Sequence, residues 1–218
     1  MNRAQMLTVN EIFLSIQGES TYAGLPCVFV RLTGCDLRCR WCDTSYAFNE
    51  GKSWSIDDVL TAVDSFGYSL VELTGGEPLL QTDVYPLMRR LLESGKTVLV
   101  ETGGHIDISS VPEAVIKVVD IKCPGSGESS RNLWANLTKL SLRDQVKFVI
   151  QDRVDYEFAC DVVEQYELGR NGTTVLFSPV HGELSPEELS SWVLADLVPV
   201  RVQIQLHKYL WGSDARGV

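Results

Sequence analysis

The sequence predicts an α/β fold: a mostly parallel sheet with helical crossovers that stops short of a closed barrel. Three observations predict it. Short apolar strands alternate with amphipathic helical segments along the 218 residues, the pattern of βαβ units. The strands from Cys27 onward number about seven, short of the eight that close a β/α barrel. Nearly every strand also runs into residues that carry chemistry, as expected where a parallel sheet gathers a ligand site at the carboxyl ends of its strands. No repeat, low-complexity segment or linker divides the chain, so 1–218 reads as a single domain with a sizeable core.

Residues 1–8 read as a tail. Val9 to Gln17 is extended, with Ile12, Leu14 and Ile16 alternating against Glu11, Phe13 and Ser15. A Gly-punctuated loop from Gln17 to Pro26 leads into a strand, Cys27 to Leu32, whose apolar run is interrupted by Arg31. A buried arginine must be paired, so Arg31 is either a structural ion pair or an anion clamp. Ser55 with Asp58 caps a helix bearing Ile56, Val59, Leu60 and Val63 on one face. Tyr68 to Leu73 is the next strand. Val84, Leu87, Met88 and Leu91 mark a helix that ends near Gly95. Strands follow at Thr97 to Glu101, Val115 to Asp120 and Gln145 to Ile150, then a helix with Phe158, Val162 and Val163. Thr173 to Phe177 is a strand, Ser185-Pro186-Glu187-Glu188 a helix start, and Val200 to Leu206 the last strand.

Composition narrows the partners. The net charge of −10 argues against a nucleic-acid backbone as ligand. No apolar stretch approaches a membrane span, and Met1-Asn2-Arg3-Ala4-Gln5 is not followed by a signal-like core. The six cysteines therefore read as reduced thiols of a cytoplasmic protein.

Three of them, Cys35, Cys39 and Cys42, form C-x3-C-x2-C in the loop that follows the Arg31 strand. Thiolates select zinc, copper(I) or iron–sulfur clusters. A structural zinc wants four protein ligands, so this loop would have to borrow one, such as His105 or Cys123. A four-iron cluster held by three cysteines instead keeps one iron open, which a catalytic centre needs. Further along the same rim stand Thr74-Gly75-Gly76-Glu77-Pro78, Glu101-Thr102-Gly103-Gly104, Asp120-Ile121-Lys122-Cys123-Pro124, Ser178-Pro179 and His207-Lys208.

The cysteine spacing, Trp41 before the third cysteine, and Gly75-Gly76-Glu77-Pro78 resemble the signatures of the radical S-adenosylmethionine (SAM) superfamily. Glu11, Gln17-Gly18-Glu19, Gly24, Arg31, Trp41-Cys42-Asp43-Thr44, Asp120-Lys122-Pro124-Gly127 and Gln205-His207-Lys208 resemble, within it, the 7-carboxy-7-deazaguanine synthases. Ser20 and Gly103-Gly104 depart from that pattern only in loop detail.

The resemblance implies an incomplete, TIM-like β/α barrel of the radical SAM type. It implies a lyase of queuosine and deazapurine biosynthesis that contracts 6-carboxy-5,6,7,8-tetrahydropterin to 7-carboxy-7-deazaguanine with loss of ammonia. The implied cofactors are a [4Fe-4S] cluster on Cys35, Cys39 and Cys42, SAM, and Mg2+ on Thr44. The implied SAM contacts are Trp41, Cys42, Asp43, Gly76, Glu77, Glu101, Ile121, Lys122, Cys123 and Ser178. The pterin is expected among Ile16, Gln17, Gly18, Arg31, Thr74 and His207, with Arg31 as a planar fork for its carboxylate. A homodimer and an electron donor such as flavodoxin or ferredoxin complete the expectation. Two alternatives share parts of the pattern: a glycyl-radical activating enzyme, and a zinc-binding module without catalysis.

Overall fold

The computed structural model describes residues 5–170, 172–213 and 215–218. Among these, nine strands make one open sheet in the order β3-β1-β2-β4-β5-β6-β7-β8-β9. They are β1 (Met6–Ile16), β2 (Pro26–Leu32), β3 (Lys52–Ser55), β4 (Leu70–Gly75), β5 (Thr97–Thr102), β6 (Ile116–Ile121), β7 (Gln145–Ile150), β8 (Thr174–Pro179) and β9 (Arg201–Val202). Pairing is parallel from β2 through β9. β1 runs antiparallel to both β2 and β3. The result is the incomplete barrel expected from the strand count, extended at one edge by an antiparallel ribbon.

Two expectations need correction, and one strand was not foreseen. β1 begins at Met6 rather than Val9, because Leu7 and Val9 are buried in the core before the pairing register shifts between Val9 and Glu11. β3 has no apolar alternation to announce it; its residues are held by pairing with the start of β1. The last strand is two residues long, and His207 stands on a short helix, not at a strand end. Gln203 N still donates to Phe177 O of β8, but Leu206 N turns to Gly18 O, 2.9 Å away. That bond starts α5 (Leu206–Trp211).

Four longer helices, α1 (Ile56–Ser65), α2 (Val84–Glu93), α3 (Arg153–Gln165) and α4 (Pro186–Asp196), cover the outer face. Their starts follow from the sequence. Ser55 Oγ accepts from Asp58 N, Asp152 from Asp155 N, and Ser185 Oγ from Glu188 N, at 3.0–3.1 Å. Each such cap contributes about 1 kcal/mol. Val59, Val63, Leu87, Leu91, Val163 and Leu189 pack from these helices onto Val30, Leu73, Val100 and Val146 of the sheet. Each buried side chain contributes about 1.5–3 kcal/mol. The links from β5 to β6 and from β6 to β7 carry 3-10 turns but, among the described residues, no α-helix.

The opposite, concave face holds a second, smaller cluster: Phe13, Cys27, Phe29, Leu70, Leu99 and Ile116, with the Phe13 and Phe29 rings stacked at 5.1 Å. Side chains alternate faces along a strand. Inward positions nearer the carboxyl ends are therefore Arg31 on β2, Glu72 and Thr74 on β4, Glu101 on β5 and Asp120 on β6, joined by Lys147 on β7. All of these line one cavity above the floor.

Candidate active site

The cavity has a volume of about 280 Å3 and opens at the carboxyl ends of the parallel strands. Cys35, Cys39 and Cys42 line it together. Their loop is fixed from several sides. Asp36 is bonded to His105 Nε2 at 2.6 Å and to Arg131 at 2.7 Å. Arg38 N donates to Glu128 at 2.6 Å, and Arg40 N to Ser126 O at 3.0 Å. The Arg38 guanidinium donates to the carbonyls of Cys35 and Leu37 and lies 4.3 Å above the Phe48 ring. Burial is the first cause that raises all three thiols above their ordinary range, so they hold their protons until a metal replaces them. Among the described residues, no three His, Cys, Asp or Glu side chains are grouped to hold a single ion. His105 is engaged with Asp36, and Cys123 is buried off the cavity.

Gly75 and Gly76 serve the loops as much as a ligand. A Cβ on Gly75 would stand 2.1 Å from Leu32 O; one on Gly76 would stand 2.2 Å from Gly34 O and 2.8 Å from Cys35 Cβ. Gly76 N donates to Leu32 O and Glu77 N to Gly34 O, at 3.1 and 2.8 Å. The glycine pair thus lets the loop after β4 lie directly against the cysteine loop. Glu77 is 1% exposed, and its carboxylate accepts from Leu79 N, Gly103 N and the Thr102 hydroxyl at 3.0, 2.7 and 2.9 Å. Those donors take most of its acceptor capacity. Burial outweighs them and raises its pKa.

The other wall is polar and crowded. Arg31 Nε donates to Glu11 at 2.7 Å, and the guanidinium lies between the Phe13 and Tyr46 rings, 5.7 and 5.9 Å from their centroids. Both sequence-level alternatives for Arg31 meet here: it is ion-paired, and it lines the cavity. Thr74 is its register partner on β4. Gln17 donates to Glu72 through Nε2 and accepts from Glu19 N at 3.0 Å through Oε1. Burial first, then Glu101 and Glu19, push the Glu72 carboxyl well above the usual range. Burial also lowers His207, against the pull of Glu19 and Asp43, which favours the neutral imidazole. Lys208, beside it, pairs with Asp43 at 2.7 Å, and the Thr44 hydroxyl donates to the same Asp43 at 2.9 Å.

Of the residues predicted from sequence, the cavity gathers Ile16, Gln17, Gly18, Arg31, Cys35, Cys39, Trp41, Cys42, Asp43, Thr44, Thr74, Gly76, Glu77, Glu101, Lys122 and His207. Ile121, Cys123 and Ser178 are buried at the strand ends but do not line it. Sequence reasoning missed Glu19, Glu72 and Lys147 as wall residues. Glu72 and Lys147 each interrupt an apolar strand, the signal that singled out Arg31. Further along the chain, Trp211, Gly212, Ala215, Gly217 and Val218 also line the cavity, and Arg216 lies 3.8 Å over the Tyr46 ring.

The donor set fits a cluster with a bound SAM. Three thiols share one wall, and beside them Asp120 Oδ1 is buried with no protein partner, as an acceptor reserved for a ligand would be. Comparison with known proteins agrees. Residues 29–123 match the model of the radical SAM superfamily. The chain is 44% identical to the 7-carboxy-7-deazaguanine synthase of Koribacter versatilis (strain Ellin345), over 97% of this chain and 100% of that protein. It is likewise 44% identical to the enzyme of that name from Chlorobaculum tepidum, over the full length of both. Its fold superposes on the crystal structure of QueE from Escherichia coli with a TM-score of 0.77 at 22% identity, covering 93% of this chain and 95% of that one. With cysteine loop, glycine loop and full-length similarity in accord, the chain belongs to the 7-carboxy-7-deazaguanine synthase family of radical SAM enzymes.

Proposed function

We propose that this enzyme converts 6-carboxy-5,6,7,8-tetrahydropterin to 7-carboxy-7-deazaguanine, expelling one ring nitrogen as ammonia. The observation that carries the reading is the single cavity shared by the three cysteines, the Gly75-Gly76-Glu77 loop and the Gln17, Arg31 and His207 wall. When bound, the cluster and SAM supply hydrogen-abstracting radical chemistry. The chain's own residues bind and orient. Cys35, Cys39 and Cys42 hold the cluster. The loop at Trp41 to Asp43, Gly76, Glu77, Glu101 and Lys122 would hold SAM, while Ile121, Cys123 and Ser178 are buried outside the cavity lining.

On the facing wall, Arg31 is held by Glu11 and two aromatic rings with only its Nε engaged among the hydrogen bonds of the described residues. Its remaining N–H groups form a preset fork for a planar carboxylate. Gln17, the backbone at Ile16 and Gly18, Thr74 and neutral His207 offer mixed donors and acceptors to the amide edge of a pterin. Thr44 lies next to Asp43 on the same wall and offers a hydroxyl to Mg2+, which commonly joins a few protein oxygens, waters and an anionic substrate. Fixing the carboxylate fixes which hydrogen is presented for abstraction. The chain's end narrows the mouth and limits water.

The reading includes one catalytic unit over the whole chain, a homodimer, and a one-electron donor of the flavodoxin or ferredoxin kind. It also includes a reducing, cytoplasmic setting; among the described residues no helix is long and apolar enough to cross a membrane. The test is anaerobic reconstitution, then turnover with SAM, dithionite, Mg2+ and the pterin, followed by mass. A brown protein that forms carboxydeazaguanine is the expected result. Cleavage of SAM without that product would refute the substrate while leaving the radical chemistry in place.

A further inference from the structure

We propose that Lys147 is a positioning residue that couples ligand binding on the SAM side of the cavity to binding on the pterin side; the proposal rests on the assignment of those two sides made above. Lys147 stands in the middle of β7 with its side chain 4% exposed. Its ammonium has three donors, and three carboxylates surround it. Glu19 Oε2 lies at 2.7 Å, Glu101 Oε1 is in direct contact, and Asp120 Oδ2 lies at 3.5 Å. Burial alone would lower the Lys147 pKa, but Glu101, Glu19 and Asp120 together drive it well above the ordinary range, so the group stays charged.

The three carboxylates come from different walls. Glu101 and Asp120 close β5 and β6 on the SAM side, where Asp120 also pairs with Lys122 at 2.9 Å. Glu19 belongs to the loop after β1, on the pterin side. Its second oxygen accepts from Gln205 Nε2 at 2.7 Å, and its own amide donates to Gln17 Oε1 at 3.0 Å. Gln205 is the residue from which α5, with His207, begins. One ammonium thus stands within two hydrogen bonds of Glu101, Gln17 and the His207 helix, and is ion-paired with Asp120.

A lysine placed only to neutralise a buried acid needs one partner. This one joins acids that touch separate ligand walls, so ordering any of them orders the others. A ligand that takes hydroxyl bonds to Glu101 fixes the Lys147 ammonium. The ammonium then fixes Glu19, and the second ligand meets a loop whose ordering cost is already met. By linkage the effect is reciprocal.

The experiment measures SAM affinity by calorimetry on anaerobically reconstituted holoenzyme, with the cluster left oxidised so that nothing turns over. It is run with and without saturating 6-carboxy-5,6,7,8-tetrahydropterin. The parent should bind SAM about tenfold more tightly when the pterin is present. Lys147→Met should bring that ratio below about twofold, and Lys147→Arg should keep it at about fivefold or more. Should Lys147→Met fail to fold, Glu19→Gln weakens the same path while Lys147 keeps Glu101 and Asp120, and the ratio should fall likewise. A parent with no coupling overturns the proposal. So does Lys147→Met or Glu19→Gln that weakens both affinities equally and keeps the parent's ratio, the mark of a merely structural role. A parent that binds SAM but never the pterin refutes the assignment of the pterin wall itself, and the coupling with it.

Discussion

Gly18→Ala should separate activity from stability. Gly18 has an ordinary negative-φ backbone, so alanine meets no backbone strain there. What it meets is α5. An added Cβ would stand 2.1 Å from His207 Nδ1 and 2.9 Å from both His207 Cγ and His207 N. The closest approach is about 1.3 Å inside the 3.4 Å at which ordinary contact begins. The His207 ring can rotate; the backbone nitrogen cannot, so the start of α5 must shift by roughly half an ångström or more. In a packed core, such overfilling costs about 1–3 kcal/mol. Here α5 is six residues long and none of them is buried, so the helix can move instead. We therefore expect a stability loss under about 1 kcal/mol, partly offset by the loss of unfolded-state freedom when glycine becomes alanine. The displaced residues line the cavity: His207, and Lys208 with its bond to Asp43. A misplacement of about 1 Å can cost a hundredfold in rate, so kcat/KM for the pterin should fall about 10–100-fold. Urea unfolding and anaerobic steady-state kinetics on one preparation decide it. An unfolding midpoint near the parent's with kcat/KM within twofold would show that His207 does not position substrate. A collapse of stability would show that α5 is part of the core.

Three further outcomes follow from the site. Cys39→Ala should lose the cluster, from about four irons per chain to nearly none, while Cys27→Ala and Cys160→Ala keep it; iron analysis after reconstitution checks this, and full retention in Cys39→Ala would refute the ligand set. Thr44→Ala should raise the Mg2+ concentration for half-maximal turnover, by about tenfold if one of few protein oxygens is lost; an unchanged Mg2+ curve means that Thr44 only bonds Asp43. Glu72→Gln should gain stability relative to the parent as pH rises. Glu72 is raised by burial, then by Glu101 and Glu19, against Lys147 and Gln17. Cys27 is also close enough to feel its charge. A raised folded-state pKa stabilises fully below the unfolded value near 4.5, and that contribution is lost as pH climbs through the folded value. Glutamine cannot ionise, so urea midpoints of variant and parent should diverge upward from pH 5; a constant difference would mean that Glu72 is already ionised.

Much of this was legible in the sequence because its signals are local. The three thiols lie within eight residues, so one loop carries them wherever it is placed. The caps at Ser55 and Ser185 act across three residues, and the structure shows those bonds. β3 and α5 were not legible, for the converse reason. Lys52–Ser55 is a strand only because the start of β1 offers its edge, and Leu206 begins a helix only because Gly18 O takes its amide proton. The need for glycine at Gly75 and Gly76 is likewise set by distant backbone, that of Leu32 and Gly34.

Lys147 marks where local reading ends. Its signal, a charge inside an apolar strand, is the same as that of Arg31, and in both cases the rule demands a partner. The Arg31 partner, Glu11, lies one hairpin away. The Lys147 partners lie 128 residues away at Glu19 and 46 at Glu101. The strand order, with β5, β6 and β7 side by side, and the loop after β1 bring them into one place. The surplus of acid there is likewise invisible in a net charge of −10. Glu19, Glu72, Glu101 and Asp120 face Lys122 and Lys147, and burial first, then the charges of Glu101 and Glu19, drive Glu72 toward its protonated form. Such a wall favours a cationic ligand with hydroxyls to donate, and the sulfonium and ribose of SAM have both properties. On the proposed function, the acidity that argued against a nucleic-acid partner would serve, at its centre, to hold the cofactor.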